Sequence, residues 1–203
     1  MKKTCILLVP LLFCTYAFAP GRKTAACYAR FKTWYQAHHE ELRTQQTAGG
    51  LVFSLTFQPA EVSVLREISD RVQISRKELR ALYAPYADNL QFNFRIENPA
   101  ARDFLLSQSV DEADYTDKLY YLIGNIQQDF SIVHAQDTLR PLSCHFENNY
   151  GTAPFILLHL VFPRPSDALS APTQLLYADH LFGADTLLFD LQPFSRLPIP
   201  KIK

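Results

Sequence analysis

The residues of this sequence that could carry chemistry include histidines and acids near the ends of predicted strands. His134 and His145 lie on neighbouring predicted strands, and Asp179 lies at a predicted turn. If the fold brought the three together, they could hold a metal ion and support a metal-dependent hydrolase. A histidine on a strand is more commonly held by hydrogen bonds within the fold. We therefore expect no metal site. A small metal-dependent hydrolase of the cell envelope, using these three residues, is the alternative function.

The motifs of familiar catalytic machineries are missing. The sequence holds neither Gly-x-Ser-x-Gly nor Ser-x-x-Lys, and its 6 glycines form no phosphate-binding or dinucleotide-binding loop. His38 and His39 are adjacent on a predicted helix, so their side chains point in different directions. Cys144 and His145 are adjacent on a predicted strand and point to opposite faces, which argues against a Cys–His dyad. We expect a non-enzymatic protein without cofactors.

Tyrosines are the best candidates for a binding surface. Tyr115, Tyr120 and Tyr121 lie on one predicted helix and cannot all face the core, which favours an exposed aromatic patch. Tyr150 lies at the tip of a predicted loop, where recognition residues often lie. The sequence therefore predicts Tyr120, Tyr121 and Tyr150 as binding residues.

The start of the chain reads as an export signal over residues 1–19. Two lysines follow Met1 and precede an apolar stretch over residues 5–19. This stretch is shorter than the roughly 20 apolar residues that span a bilayer. We expect export to the periplasm or the outer membrane of a bacterium, with residues 20–203 as the mature chain.

Two ways of ending the signal stay open. Residues 17–19, Ala-Phe-Ala, match the pattern for ordinary cleavage, although Pro20 follows the cut. Residues 11–14, Leu-Leu-Phe-Cys, resemble the end of a lipoprotein signal, although the phenylalanine is bulkier than the residue usual there. The sequence leaves both soluble export and lipid anchoring open. If a lipid is attached, Cys14 is the preferred site.

Composition and cysteine content limit the partners. The chain has 20 basic and 20 acidic residues, and cleavage after Ala19 would leave 18 basic residues and a net charge of 18 − 20 = −2. A surface with so small a net charge gives no electrostatic reason to bind nucleic acid or anionic lipid. Contact with a membrane would therefore come only from a lipid anchor. Cys27 and Cys144 would remain after cleavage and could form a disulfide in an oxidising compartment. We expect an envelope protein as the partner.

The pattern of elements predicts a single, mainly β domain with an N-terminal helix and further helical inserts. A helix is expected over residues 28–44, and Ser75 with Glu78 and Ser109 with Glu112 form capping boxes. The apolar run over 155–162 predicts a strand covered on both faces. The second half lacks helical crossovers, which favours an antiparallel two-sheet sandwich of the immunoglobulin-like Greek-key type, with an open α+β sheet as the alternative. The expected strands cover residues 51–57, 90–96, 126–134, 139–147, 155–162, 175–177 and 187–191.

Several short motifs resemble an uncharacterised family of exported bacterial proteins, many of which look like lipoproteins. The resemblance covers most of the mature chain and implies a secreted or lipid-anchored β-rich body. It supplies no catalytic residues. The sequence as a whole therefore predicts a cell-envelope binding or assembly component. The motifs are Trp34-Tyr35, Gly50-Leu51, Phe57-Gln58-Pro59, Leu65-Arg66-Glu67, Cys144-His145-Phe146-Glu147 and Asp179-His180-Leu181-Phe182-Gly183.

Overall fold

The structure, a computed structural model, describes the backbone of residues 21–68, 74–165 and 172–202, with side chains from residue 27 onward. The predicted signal over residues 1–19, including Cys14, lies outside the described residues. The described chain forms two antiparallel sheets flanked by helices.

The larger sheet has five strands in the order β1-β2-β3-β7-β6. In β2 and β3 every second residue is apolar and buried, which is the pattern of a strand with one face on a core. The tight pairing of β3 with β7 continues this alternation across the sheet. Its strands are β1 (Arg43–Ala48), β2 (Leu51–Gln58), β3 (Asn89–Glu97), β6 (Ser143–Glu147) and β7 (Phe155–Pro163).

The smaller sheet has four strands in the order β5-β4-β8-β9. Its strands are β4 (Phe130–His134), β5 (Asp137–Leu139), β8 (Thr173–Ala178) and β9 (Thr186–Asp190). The order β2-β3-β7-β6 corresponds to strands A-B-E-D of an immunoglobulin domain, and β4-β8-β9 corresponds to C-F-G with β5 beside β4. The predicted immunoglobulin-like sandwich is therefore confirmed, with β1 as an additional edge strand.

An aromatic core joins the two sheets. The ring of Phe94 on β3 lies 5.0 Å from Phe130, 4.9 Å from Tyr177 and 5.6 Å from Phe189, which belong to three strands of the other sheet. All four rings are nearly inaccessible to solvent. Each such burial contributes about 1.5–3 kcal/mol, so this contact is a main reason why the sheets pack face to face.

Helices form a second, smaller core at one side of the sandwich. Phe31, Val64, Leu79 and Ile202 are buried together there, so the first helix, two short helices and the end of the chain share one cluster. The helices are α1 (Gly21–His38), α2 (Ala60–Ile68), α3 (Arg76–Tyr83), α4 (Phe104–Ser107), α5 (Glu112–Gly124) and α6 (Gln192–Ser195), with 3₁₀ turns at Ala84–Tyr86 and Ile126–Asp129.

The start of the fold corrects the predicted helix over residues 28–44. Helix α1 ends at His38, and the polar segment Arg43–Ala48 is strand β1, paired with β2 through a turn at Gly49 and Gly50. Strand β1 carries almost no apolar side chain, so period-two hydrophobicity cannot reveal it. Its backbone hydrogen bonds come from β2, which is enough for an edge strand.

The predicted strand over 139–147 is also wrong as a single element. It divides into β5 in the smaller sheet and β6 in the larger one. Pro141 lies between them and has no N–H to donate, which interrupts a ladder at the point where the chain changes sheets. The preceding predicted strand begins later as well, because residues 126–129 form a 3₁₀ turn.

Two finer predictions were partly wrong. The capping box of Ser75 and Glu78 is confirmed, but helix α5 is capped by Asp111 rather than Ser109. The run in β7 is buried on one face only, and its other face is half-buried, with Arg95 of β3 stacked over the Phe155 ring at 3.7 Å. The long side chain of Arg95 thus shields part of this half-buried face.

Candidate functional site

A basic and apolar stripe on helix α3 forms one wall of the candidate site. The capping box fixes the start of this helix: Ser75 Oγ accepts from Glu78 N, and the Glu78 carboxylate accepts from Ser75 N at 2.8 Å. Residues three and four apart then lie on one face. That face carries Arg76, Leu79, Arg80 and Tyr83, all of which line a surface cleft.

The cleft lies between helix α3, the following 3₁₀ turn and the end of the chain. Its volume is about 890 Å³. Leu79, Tyr83, Tyr86 and Ile202 give it an apolar surface, and small side chains such as Ala84 leave the space open. A cleft of this size and character is typical of sites for small molecules.

Two more cations enter the cleft from distant parts of the sequence. Arg164 follows β7, and its Nη2 donates to the carbonyl of Asn89 at 3.1 Å. Lys201 belongs to the C-terminal tail, and its Nζ lies 3.2 Å from Oε1 of Glu61. With Arg76 and Arg80, four cations line the cleft, and none of the described lining residues is acidic.

Buried polar groups lie beneath Lys201. Glu61 on α2 is only 1% exposed, and the hydroxyls of Tyr28 and Tyr83 are buried as well. Burial, followed by the nearby Glu61 charge, raises the pKa of Tyr83 well above its ordinary value. Lys201 pairs with this buried carboxylate, and the ion pair holds the tail against the cleft.

A smaller cavity adjoins the cleft and extends toward the sandwich. Its volume is about 230 Å³, and it shares Ala60, Arg164 and Lys201 with the cleft. Its far end is aromatic: the ring of Phe57 lies 5.8 Å from that of Phe194, and both line the cavity. The cavity is also lined by Glu61, so the two cavities combine a cationic entrance with a mainly apolar interior that holds one carboxylate paired with Lys201.

Sequence reasoning missed this site. Its cations come from helix α3, the end of β7 and the C-terminal tail, and no local pattern connects those segments. The available signal was the stripe of Arg76, Leu79, Arg80 and Tyr83, in which basic residues occupy the same helix face as core-type residues. That pattern indicates a helix face that is half buried and half cationic.

The predicted binding tyrosines do not line the cleft. Tyr120 is 68% exposed on α5 and Tyr150 is 85% exposed in the loop before β7. Tyr121 is half-buried, and its hydroxyl donates to Oδ1 of Asp129 at 2.6 Å. Exposed aromatic residues therefore occur on two separate elements, whereas Tyr121 lines a different, polar cleft together with His180.

The residues of the alternative metal site are far apart. His134 pairs with Thr173 at the start of β8, whereas Asp179 follows the end of that strand, roughly 20 Å further along. His145 lies on the other sheet, stacked on His159 at 6.2 Å. Within the described part of the chain, no group of three His, Cys, Asp or Glu residues is arranged to hold a metal ion. This placement removes the basis of the metal-dependent hydrolase.

Cys27 and Cys144 are free in the structure. Cys27 packs against the helical cluster, and Cys144 on β6 packs against the core of the sandwich. The structure thus places the two residues of the predicted disulfide in different clusters, where each packs as a small apolar side chain.

A comparison with protein-family models, curated proteins and solved structures found no match for this chain. The resemblance to exported bacterial proteins therefore stays a prediction. Over residues 21–68, 74–165 and 172–202, no helix combines the length and the apolar character that crossing a membrane requires.

Proposed function

We propose that this protein is an exported binding component of the cell envelope, and that its ligand is an anionic amphiphile with a single alkyl chain. The anionic head group would pair with the cations at the cleft entrance. The alkyl chain would lie along the apolar walls and reach the adjoining cavity. A protein partner that delivers or receives such a ligand would fit the expected envelope location.

The observation that carries this proposal is the concentration of four cations on an apolar cleft in a chain of balanced charge. The whole sequence has 20 basic and 20 acidic residues, so a cleft lined by Arg76, Arg80, Arg164 and Lys201 and by no described acid is a local excess, in which Lys201 alone pairs with the underlying Glu61. Charge complementarity selects an anion, and the apolar walls select a hydrophobic body.

The direct test is calorimetric titration of the purified mature chain with amphiphiles of equal chain length. Dodecanoate and dodecyl phosphate should bind, whereas dodecanol and dodecyltrimethylammonium should bind at least about tenfold more weakly. Comparing the affinities of dodecanoate and dodecyl phosphate also shows whether the site prefers a carboxylate or a phosphate head group. Decanoate should bind about tenfold more weakly than dodecanoate, because each buried methylene contributes about 0.8 kcal/mol.

Matched variants locate the binding site. Arg76→Gln combined with Arg80→Gln should weaken dodecanoate binding about twofold to thirtyfold, since each exposed ion pair contributes about 0.2–1 kcal/mol. Arg102→Gln is the control, because this exposed arginine follows the opposite end of β3. Ala84→Phe should block the cleft without removing a packed side chain. Equal binding of anionic and cationic amphiphiles, or equal effects of the cleft and control variants, would refute the proposal.

The export part of the proposal has its own test. Mass spectrometry of the protein from envelope fractions should find a mature N-terminus at Pro20, or a lipid-modified terminus at Cys14. An unmodified Pro20 excludes the anchor on Cys14. An intact leader on protein from the cytosol would contradict export.

A further inference from the structure

A second polar site surrounds the buried carboxylate of Asp129, away from the cationic cleft. Asp129 ends the 3₁₀ turn before β4, and its side chain is 0% exposed. Its Oδ1 accepts from the Tyr121 hydroxyl at 2.6 Å and lies 2.9 Å from Nδ1 of His180. Because this oxygen acts as the acceptor, Nδ1 of His180 must carry the proton. In the neutral ring, the lone pair is then on Nε2, on the opposite side of the imidazole.

The loop that carries His180 is held rigidly by Asp179. The carboxylate of Asp179 accepts from the backbone N–H groups of Leu181, Phe182 and Ala184, and from the Tyr177 hydroxyl at 2.8 Å. Asp179 is therefore a structural anchor for the loop. Its neighbour His180 is fixed at Nδ1, while its side chain is 60% exposed.

The exposed edge of His180 lines a polar cleft of about 830 Å³. Arg140 lines the same cleft, and its Nη1 donates to the carbonyl of Gln128 at 3.1 Å, which leaves Nε and Nη2 to pair with an anion. Asn125 and Gln128 add amide groups to the lining, and none of the described lining residues is acidic. The cleft thus presents one fixed acceptor and one cationic donor group.

We propose that this cleft binds a small hydroxylated organic anion, in which a ligand hydroxyl donates to Nε2 of His180 and the anionic group pairs with Arg140. Sugar acids are the simplest ligands of this chemistry. Asp129 is a positioning residue, because it holds the imidazole ring in one tautomer and one orientation without lining the cleft itself. The site is independent of the proposed amphiphile site, which uses other residues.

The test uses glucuronate as the probe, with glucose and acetate as partial ligands. Long-range proton–nitrogen NMR at mildly alkaline pH should show a protonated Nδ1 and an unprotonated Nε2 for His180. Glucuronate should shift the Nε2 signal and bind at least about tenfold more tightly than glucose or acetate, since it alone supplies both groups.

Matched variants separate positioning from simple packing. His180→Phe and Arg140→Gln should each weaken glucuronate binding at least about fivefold, whereas His145→Phe, on the exposed face of β6, should leave it unchanged. Asp129→Asn keeps an oxygen acceptor for Nδ1 and should preserve both the tautomer and binding, whereas Asp129→Leu should lose both. An unshifted His180 signal, binding no tighter than that of acetate, or an equal effect of His145→Phe overturns the proposal. None of these outcomes changes the expected binding of dodecanoate.

Discussion

At the scale of single residues, Asp129 is a carboxylic acid whose side chain is fully enclosed in the fold. Burial raises the pKa of its carboxyl, and the hydrogen bonds from Tyr121 and His180 offset this only in part. An acid with a raised pKa in the folded state contributes stability that is present below its unfolded pKa, about 3.9, and lost as the pH rises through its folded pKa. Ionised Asp129 therefore lowers the free energy of unfolding at neutral pH.

Asp129→Asn should remove this pH dependence. The stability of the variant relative to the wild type should rise between about pH 4 and about pH 7, because only the wild type loses stability there through this group. Urea unfolding at both pH values measures the change. Asp117→Asn, an exposed acid on α5, serves as the control and should show a nearly constant difference. A constant difference for Asp129→Asn would contradict the assignment.

The thiols give a second prediction at this scale. Burial raises the pKa of Cys144 to about 12, so its reactive thiolate is scarce at neutral pH in the folded protein. Cys144 should be alkylated slowly in the native state and rapidly after denaturation, together with Cys27, without any reductant. Mass spectrometry of the alkylated peptides measures this. Labelling that appears only after reduction would show that the two cysteines form a disulfide.

At the scale of elements, the strands that bury one face could be predicted, and those that bury none could not. Alternation revealed β2 and β3 because each places every second side chain in the core. Strand β1 has no such face, and it is held by hydrogen bonds to β2 and by one from the Gln46 side chain to the Leu188 carbonyl of β9. Likewise, the candidate cleft depends on contacts between α3, Arg164 and Lys201, which are far apart in sequence, so local patterns predicted the helix but not the site.

The turn between β1 and β2 gives a prediction for this missed element. Gly49 and Gly50 have φ values of 57° and 79°, the left-handed region expected for a two-residue hairpin turn. Gly50→Val should lower the free energy of unfolding by about 1–2 kcal/mol, because a side chain in that region is strained. Gly50→Asn, which tolerates the conformation better, should cost less. Since a Cβ at Gly50 would meet no atom within 4 Å, equal losses for the two variants would contradict a backbone origin.

At the scale of the whole molecule, the last residues of the chain connect its parts. Ile202 is 3% exposed in the helical cluster, beside Phe31 of the first helix and Leu79 of α3. The adjacent Lys201 reaches Glu61 on α2. Residues 198–202, the described part of the tail, are neither helical nor part of a sheet. The tail instead closes the helical cluster and completes one wall of the cationic cleft.

Ile202→Ala should therefore affect stability and binding together. Truncating a buried isoleucine costs about 2–5 kcal/mol, and loosening the tail also moves Lys201 away from the cleft. Thermal unfolding should show the loss of stability, and dodecanoate should bind more weakly even at temperatures where the variant is fully folded. Leu188→Ala, on the half-exposed face of β9, is the control for the loss of an aliphatic side chain. It should change neither the thermal stability nor the affinity for dodecanoate strongly. If Ile202→Ala destabilised the protein but left binding intact, the tail would hold the fold without forming the site.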